Sequence, residues 1–515
     1  MQFQPQIAVL RAPPSPFRAT WQRFLAESHS IARSQPSYEH CRAHSGEPAR
    51  LMQLVTSHNI SDLLKAHQGQ TPLHVAARLD HVEIASLLIA HGSDPSTQDD
   101  NGHTPLHCAA QFNSVKAVSF LTSHSMDVNA QDSQGLSPVH LAVQRNAYAS
   151  IEVLLSRGAD VNIQDHRGET IWHWIALEDC RSLAKLLVTP HAELNTRSHQ
   201  NVTAVFLAAR KSNAEVLSIL LDNHADAAVR CDMVHVKVPS HTFLTSLSDA
   251  FKHSMREGWT ALHCAAYKGH MDCADILLQH GADVTAQNAV GWTPLHCAAQ
   301  GGHADMVDLL LSSGADASAQ DAEGWTPVHC ATSNKRAVSM LVAFGADINA
   351  KSAQGCTALH TASATHHRGM PELLLTLGTN PNVQDVEGVT PLHRAAEFGQ
   401  MPALKALLSR GANANAPDLK GSTALHHAAW HCQLTAMKAL IRAGSDLHIR
   451  DCQGQTALHW AARRGYATVV AELLHHGADV HAIDCKGAEP LQVATQHGYA
   501  STTKLLMSYG ARVLS

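Results

Sequence analysis

The sequence repeats itself at a fixed step. Residues 291–299 read Gly-Trp-Thr-Pro-Leu-His-Cys-Ala-Ala, near-copies begin at Gly258 and Gly324, and looser copies recur in both directions. The step between copies is 33 residues except at two places. A period of this length is typical of a solenoid, in which each unit buries its apolar face only against its neighbours. The third residue of each copy marks the step at Thr71, Thr104, Ser137, Thr170, Thr203, Thr260, Thr293, Thr326, Thr357, Thr390, Thr423, Thr456 and Glu489.

One copy predicts a helix, a second helix and a hairpin. Thr293 can cap a helix with its hydroxyl, and Pro294 suits the first helical position, where no amide hydrogen is needed. Apolar residues recur with helical spacing over 304–313 and predict the second helix. Gly314 ends that helix, because glycine adopts a left-handed conformation without penalty. The next seven residues run out and back as a hairpin.

This unit closely resembles the ankyrin repeat, and the resemblance covers residues 37–515. It implies an all-α solenoid of helix-turn-helix pairs with projecting β-hairpin loops, stacked in a curved, elongated array. The predicted parts are a disordered N-terminal arm at 1–36, a degenerate capping repeat at 37–69, a first block of repeats at 70–228, an insertion at 229–256 and a second block at 257–515.

The step changes at two places. It is 57 residues between Thr203 and Thr260, so 24 residues are added. We interpret them as a loop at a hairpin tip, where solenoids tolerate insertions. The alternative is translated non-coding sequence, since deletion of 229–252 restores a hairpin of normal length. The step between Thr326 and Thr357 is 31, so two residues are missing from the turn between helices near 333–335.

Two repeats carry bulky replacements. The repeat marked by Thr170 has Trp172 and Trp174 in its apolar slots, and the repeat marked by Thr203 has Phe206 in the histidine slot. Such side chains are hard to fit between stacked units without a shift of the stack. We therefore expect weak interfaces here.

Composition and charge exclude several classes of protein. With 38 basic and 44 acidic residues and no block of like charge, strong binding to nucleic acid is not expected. No run approaches the roughly 20 apolar residues of a membrane span. The arm contains three arginines and no acid in residues 1–26, as an import segment would, but its prolines favour a disordered tail. We expect a cytoplasmic protein, with the nucleus as the alternative.

The cysteines follow the repeat. Four of the 12 occupy the slot after the repeat histidine, namely Cys108, Cys264, Cys297 and Cys330. Their spacing reflects the solenoid and not a disulfide framework, which favours a reducing compartment.

The repeat histidines form a row, but units about 8–10 Å apart hold their rings too far apart to share a metal ion. The resemblance implies that each histidine hydrogen-bonds the marking threonine and nearby turn backbone. His427, His431 and Cys432 form a denser cluster with metal-ligand spacing and no evident fourth ligand. No metal, no cofactor and no enzymatic activity are expected, since the common catalytic motifs are missing.

A row of tryptophans is the predicted binding site. Trp259, Trp292 and Trp325 each precede the marking threonine, with Tyr267, Lys268 and Gln300 nearby. The resemblance places this slot beside the concave groove where partners commonly bind, and partly exposed tryptophan and tyrosine are frequent binding anchors. The alternative is that each ring only covers the base of a hairpin.

We therefore expect a monomeric, non-catalytic scaffold or adaptor that binds other proteins through the groove and hairpin tips. One alternative is a targeting or regulatory subunit of a phosphatase or a ubiquitin ligase. Residues 116–120 (Lys-Ala-Val-Ser-Phe) resemble a phosphatase-docking motif, although their register in the repeat turns Val118 and Phe120 toward the core. Another alternative is a microbial effector that acts in a host cell. The resemblance also makes Asn129, Asn162 and Asn349 candidate sites of hydroxylation.

Overall fold

The computed structural model describes residues 69–90, 92–124, 126–232 and 257–512. Within these ranges there are 26 α-helices, one short 3-10 helix and a single isolated β-bridge. The all-α solenoid fold is therefore confirmed. The chain divides into two compact units, Met1–Glu193 and Leu194–Ser515. The predicted arm, the capping repeat before Gly69 and residues 233–256 of the insertion lie outside the described residues.

The first unit contains four described helix pairs. Their helices are α1 Pro72–Arg78, α2 Val82–Ala90, α3 Pro105–Gln111, α4 Val115–Ser123, α5 Pro138–Gln144, α6 Tyr148–Ser156, α7 Ile171–Glu178 and α8 Arg181–Leu187.

The second unit contains nine described helix pairs. Its first helices are α9 Ala204–Lys211, α11 Ala261–Lys268, α13 Pro294–Gly301, α15 Pro327–Cys330, α17 Ala358–Ala364, α19 Pro391–Glu397, α21 Ala424–Trp430, α23 Ala457–Arg464 and α25 Pro490–Gln496. Its second helices are α10 Ala214–Asp222, α12 Met271–Gln279, α14 Ala304–Ser312, α16 Lys335–Ala343, α18 Met370–Thr376, α20 Met401–Ser409, α22 Leu434–Arg442, α24 Ala467–His475 and α26 Ala500–Ser508.

Each described first helix except α9 begins at a capping box, and at α9 the Thr203 hydroxyl accepts from the Phe206 amide at 3.3 Å. In α13, the Thr293 hydroxyl accepts a hydrogen bond from the His296 amide at 3.5 Å, and the Thr293 amide donates to His296 Nδ1 at 3.2 Å. Pro294 follows at the first helical position. These bonds satisfy amide groups that a helix start leaves unpaired. The helix ends at Gly302, which has a φ of 72°.

The hairpins are tight turns closed by few hydrogen bonds. The Asn288 amide donates to the Trp292 carbonyl at 2.9 Å, and Asn288 Oδ1 accepts from the amides of Val290 and Trp292. The Ala322 amide of the next hairpin donates to the Val290 carbonyl at 3.0 Å. Successive hairpins are thus tied to each other by their main chains.

The insertion leaves and rejoins its repeat at adjacent positions. Cys231 and Trp259 exchange two main-chain hydrogen bonds of 2.7 and 2.8 Å, as an isolated antiparallel bridge. This pair stands where Asn288 and Trp292 close the next hairpin. His270 Nδ1 also lies 2.9 Å from the Ala209 carbonyl, which links the repeats on either side. The added residues therefore do not interrupt the helix stacking.

The repeat that lacks two residues has a modified turn. Helix α15 has four residues and continues as the 3-10 helix Ala331–Ser333. Asn334 then caps α16 by accepting from the amides of Arg336 and Ala337 at 2.9 and 3.2 Å. The missing residues therefore come from the turn between the helices, as predicted.

The first unit contains an interrupted contact between repeats. His107 Nε2 lies 3.0 Å from the Leu136 carbonyl, but His140 Nε2 has no hydrogen-bond partner among the described residues. The Trp174 ring stands edge-on to His140, with ring centroids 5.6 Å apart. The interruption occurs where the bulky residues predict a weak interface.

Candidate functional site

The repeat histidines join neighbouring units. His296 Nδ1 accepts from the Thr293 amide, and His296 Nε2 lies 3.1 Å from the Trp325 carbonyl of the next repeat. A ring that accepts at Nδ1 and donates at Nε2 is neutral. The same link from Nε2 to the next repeat is made by His74, His107, His263, His329, His360, His393, His426 and His459. The predicted structural role of these histidines is confirmed.

Burial makes these rings hard to protonate. Removal from water lowers the pKa of His296 to about 4, and the bond to the Trp325 carbonyl offsets part of this effect. The pKa is likewise lowered to about 4, with burial as the largest cause, in His107, His140, His263, His360, His393 and His426.

The predicted tryptophan row packs against these histidines. The ring centroids lie 5.9 Å apart for Trp259 and His263, 6.1 Å for Trp292 and His296, and 5.3 Å for Trp325 and His329. Only 5% of Trp259 and 5% of Trp292 is exposed. The expectation of partly exposed rings is therefore wrong for these two, while Trp325 is half-buried.

The cause of this burial is the next repeat. Trp292 Nε1 donates to Asp321 Oδ2 at 2.9 Å, and this aspartate lies 29 residues further along the chain. Burial is the largest influence on the Asp321 carboxyl and raises its pKa. The Trp292 ring therefore covers the base of a hairpin, as in the alternative interpretation. Partner binding by the row stays a prediction.

The other predicted binding residues lie at the ends of first helices. Tyr267 is half-buried and stands edge-on to Trp259, with ring centroids 5.7 Å apart. Burial raises the pKa of its hydroxyl. Lys268 is exposed and Gln300 is half-buried. The accessible part of the predicted site is therefore Trp325 with Tyr267, Lys268 and Gln300.

A second aromatic site was not predicted from the sequence. The Trp430 and Trp460 rings form a T-shaped pair with centroids 5.5 Å apart. The Arg464 guanidinium lies 4.9 Å from the Trp430 ring centroid and 5.7 Å from that of Tyr466. We call Trp430, Trp460, Arg464 and Tyr466 the Trp-Arg cluster. Its three ring-bearing residues are half-buried and its arginine is exposed.

Hydrogen bonds hold the base of the Trp-Arg cluster. Trp460 Nε1 donates to Asp451 Oδ2 at 3.0 Å, and His427 Nε2 lies 3.3 Å from Asp418 Oδ2. Trp460 directly follows the repeat histidine His459, just as Cys297 follows His296 in another repeat. A large ring in a slot that holds cysteine in four other repeats makes Trp460 unusual in the sequence, although it does not indicate that its ring meets Trp430.

The candidate metal cluster of His427, His431 and Cys432 does not form. His427 pairs with Asp418, and His431 Nε2 lies 3.8 Å from Glu397 Oε1. Cys432 is exposed and has a left-handed backbone with a φ of 57°. Among the described residues, the one group with ligand atoms close enough to hold an ion is Asp99, His103 and Cys108.

The phosphatase-docking motif is helical. Residues 116–120 lie inside α4, whereas such a motif binds as an extended strand. Val118 is fully buried, and Phe120 packs against the cluster that contains Leu73 and Ile84. The expectation that both side chains face the core is confirmed.

Two predicted absences can be compared with the described residues. All 11 cysteines there are free thiols, so no disulfide connects these parts of the chain. None of the described helices combines the length and the apolar character that crossing a membrane requires.

These features define a class of protein: a helical-repeat solenoid whose units share one scaffold and differ in the side chains they present. The family model "Ankyrin repeats (3 copies)" matches the chain at 40–132, 86–165, 139–231, 233–321, 305–385, 366–451 and 433–515. The chain belongs to the ankyrin repeat family. Ankyrin repeats generally act as protein-protein interaction modules, and the family is typically non-catalytic. Among curated proteins, none gives a significant match to this chain.

Proposed function

We propose that this protein is a non-catalytic scaffold or adaptor, cytoplasmic and monomeric, that binds partner proteins with the first-helix side of its second unit. The observation that carries the proposal is the Trp-Arg cluster. Tryptophan, tyrosine and arginine are the residue types most enriched at the energetic centres of protein interfaces. Here they meet on one surface, although they come from two repeats.

The geometry of the cluster suits a rigid contact. Nε1 of Trp460 is tied to Asp451, so this ring is held in place before a partner arrives. Rings that are already ordered lose little conformational entropy on binding. The two tryptophans are half-buried and form a T-shaped pair, so they offer a partner side chain partly exposed apolar surface.

Charge suggests which partners fit. Arg464 is exposed and lies over two aromatic rings, and no ion pair links it to a carboxylate among the described residues. A guanidinium held over aromatic rings can form two parallel hydrogen bonds to a carboxylate. Arg463 next to it is also exposed. A partner with an acidic residue beside an apolar one complements this surface.

The surface of Trp325, Tyr267, Lys268 and Gln300 is a second contact within the same proposal. It lies on earlier repeats of the same unit. Because Trp259 and Trp292 are buried, they would pack beneath the exposed residues of this surface and would not touch the partner. A long partner segment could contact both surfaces, as solenoids commonly bind extended chains.

The test is affinity purification with mass spectrometry on the full chain. The variants are Arg464→Glu and Lys268→Glu, one on each surface, and the control is Lys405→Glu on the second helix α20, where the side chain is also exposed. Exposed charge reversals leave the fold intact, which thermal unfolding by circular dichroism checks.

We expect proteins bound by the wild type and by Lys405→Glu to be lost from Arg464→Glu. Retention of every partner by both surface variants would refute the proposed surfaces. Stable recovery of one catalytic subunit, with no other partner, would favour a targeting or regulatory subunit instead.

A further inference from the structure

Three potential metal ligands meet at the start of α3. Asp99 and His103 lie in the hairpin that precedes this helix, and Cys108 lies within it. One carboxylate oxygen, one ring nitrogen and the sulfur all lie within 4.8 Å of one another. Asp99 and Cys108 are buried, and the His103 side chain is 19% exposed. His103 therefore leaves a path from solvent to the group.

The Asp99 carboxylate is already oriented. Its Oδ1 accepts hydrogen bonds from the amides of Asn101 and His103, both at 2.9 Å. Its Oδ2 lies 3.6 Å from His103 Nδ1. This distance is too long for a hydrogen bond, and it is near the roughly 3.4 Å between neighbouring ligands of a tetrahedral ion with bonds of about 2.1 Å.

His103 is oriented from its other side. Its Nε2 lies 3.2 Å from Asp132 Oδ2, a buried carboxylate of the next repeat. An Nε2–H that donates to this carboxylate leaves the lone pair of Nδ1 facing Asp99. Histidines that bind metals almost always donate their other ring N–H to such an acceptor.

A neighbouring amide carries an unused acceptor. Gln70 Nε2 lies 3.5 Å from Asp99 Oδ2, while Gln70 Oε1 is buried and has no hydrogen-bond partner among the described residues. A water molecule bound to an ion beside Asp99 could donate to this oxygen. Burial raises the pKa of the Cys108 thiol to about 12, and the Arg78 guanidinium offsets part of this rise.

Another repeat has two of the three ligands in the same slots. Asp321 and Cys330 correspond to Asp99 and Cys108, and Trp325 takes the place of His103. The carboxylate and the thiol therefore occur together in both repeats. The repeat marked by Thr104 differs because His103 adds a third ligand. The repeat marked by Thr326 is a matched control within the same chain.

We propose that Asp99, His103 and Cys108 bind a zinc ion through a carboxylate oxygen, Nδ1 and the thiolate, with water as the fourth ligand. Carboxylate, imidazole and thiolate are the three ligand types that zinc uses in proteins. Binding releases the thiol proton of Cys108 to solvent. The two anionic ligands then balance the charge of the ion. The ion in turn connects the hairpin, through Asp99 and His103, to Cys108 in α3.

Cobalt is the probe, because cobalt bound to a thiolate gives a charge-transfer band that carboxylate and imidazole sites do not. The full chain is reduced, freed of metal with a chelator and titrated with Co²⁺ without oxygen. We expect a near-ultraviolet charge-transfer band that saturates at about one equivalent per chain and disappears when Zn²⁺ is added.

Four variants locate the site. Cys108→Ser and His103→Trp should remove the band, and the second of these places in the slot a residue that other repeats carry there. Cys330→Ser should keep the band in full. Asp132→Asn should keep the band but weaken Co²⁺ binding about 10–100-fold, since it changes only the residue that orients His103.

Circular dichroism shows whether each variant is folded, and His103→Trp keeps the test decisive if Cys108→Ser does not fold. No charge-transfer band in the wild type, or a band that survives in folded His103→Trp, would overturn the proposal.

Discussion

Acid should destabilise the stacked repeats because it protonates histidines that the fold keeps neutral. In the folded state His296 has a pKa of about 4, lowered by burial from an ordinary value of 6.5. Once the chain unfolds, the ring takes up a proton at any pH below about 6.5. Proton uptake therefore favours the unfolded state as the pH falls below 6.5, and the loss of stability levels off near pH 4.

The size of the effect follows from the two pKa values. Each histidine whose pKa falls from 6.5 to about 4 should lower the free energy of unfolding by about 1 kcal/mol between pH 7.5 and 5.5. The described part of the second unit contains five, namely His263, His296, His360, His393 and His426. If this unit unfolds cooperatively, the loss is on the order of 5 kcal/mol. That is comparable with the whole stability of many domains, about 5–15 kcal/mol.

Among the described residues of this unit, one histidine acts in the opposite direction. The pKa of His280 is raised by its bond to the Ile276 carbonyl and by Asp222. Its stabilising contribution is present at low pH and is lost as the pH rises through its folded-state pKa. This exposed ring offsets little of the loss from five buried ones.

The variant His296→Gln isolates one residue. The last repeat already carries Gln492 in this slot, where Oε1 accepts from the Glu489 amide at 3.0 Å. Glutamine thus preserves the capping bond and cannot titrate. Urea unfolding of both proteins at pH 7.5 and 5.5 gives the stability difference at each pH.

The advantage of the wild type over His296→Gln should shrink by about 1 kcal/mol between pH 7.5 and 5.5. Comparison at one pH cancels every other titrating group. A stability difference that does not change with pH would refute the reasoning, and so would a melting temperature of the wild type that is equal at the two pH values.

Three further predictions concern packing and backbone geometry. Trp292→Ala should lower the free energy of unfolding by about 3–5 kcal/mol, measured by urea unfolding, because it leaves a cavity and removes the donor to Asp321 Oδ2; a loss under about 1 kcal/mol would contradict the burial of this ring. Gly291→Ala should cost more than Gly314→Ala in thermal unfolding, because both have positive φ, but an added Cβ meets backbone nitrogen at 3.0 Å only at Gly291; equal losses would contradict this. Deletion of 233–256 leaves three residues in the turn, as at 289–291, and should preserve the melting curve of the second unit; failure to fold would show that the inserted residues support the stack.

Local chemistry made most of the fold predictable. Thr293 and Pro294 define a helix start within four residues, and Gly302 ends that helix by its own left-handed backbone. Such signals need no distant partner, so each repeat carries them independently. The change of step at Thr326 likewise identified the altered turn before Asn334.

Exposure was predictable only in part, because it depends on residues a full repeat away. The sequence predicts Trp292 as a partly exposed anchor, but its Nε1 donates to Asp321, which lies 29 residues further on. Conversely, Trp430 and Trp460 belong to different repeats, and nothing in either repeat alone indicates that their rings meet.

The sequence alone determined the period, the helix boundaries and the family, since these follow from contacts within a few residues and from their repetition. The tertiary structure decided which side chains are covered, which rings meet Arg464, and that His103 faces both Asp99 and Asp132. The reason is physical: a repeat buries its apolar face only against its neighbours, so its surface is defined only when the neighbours are in place.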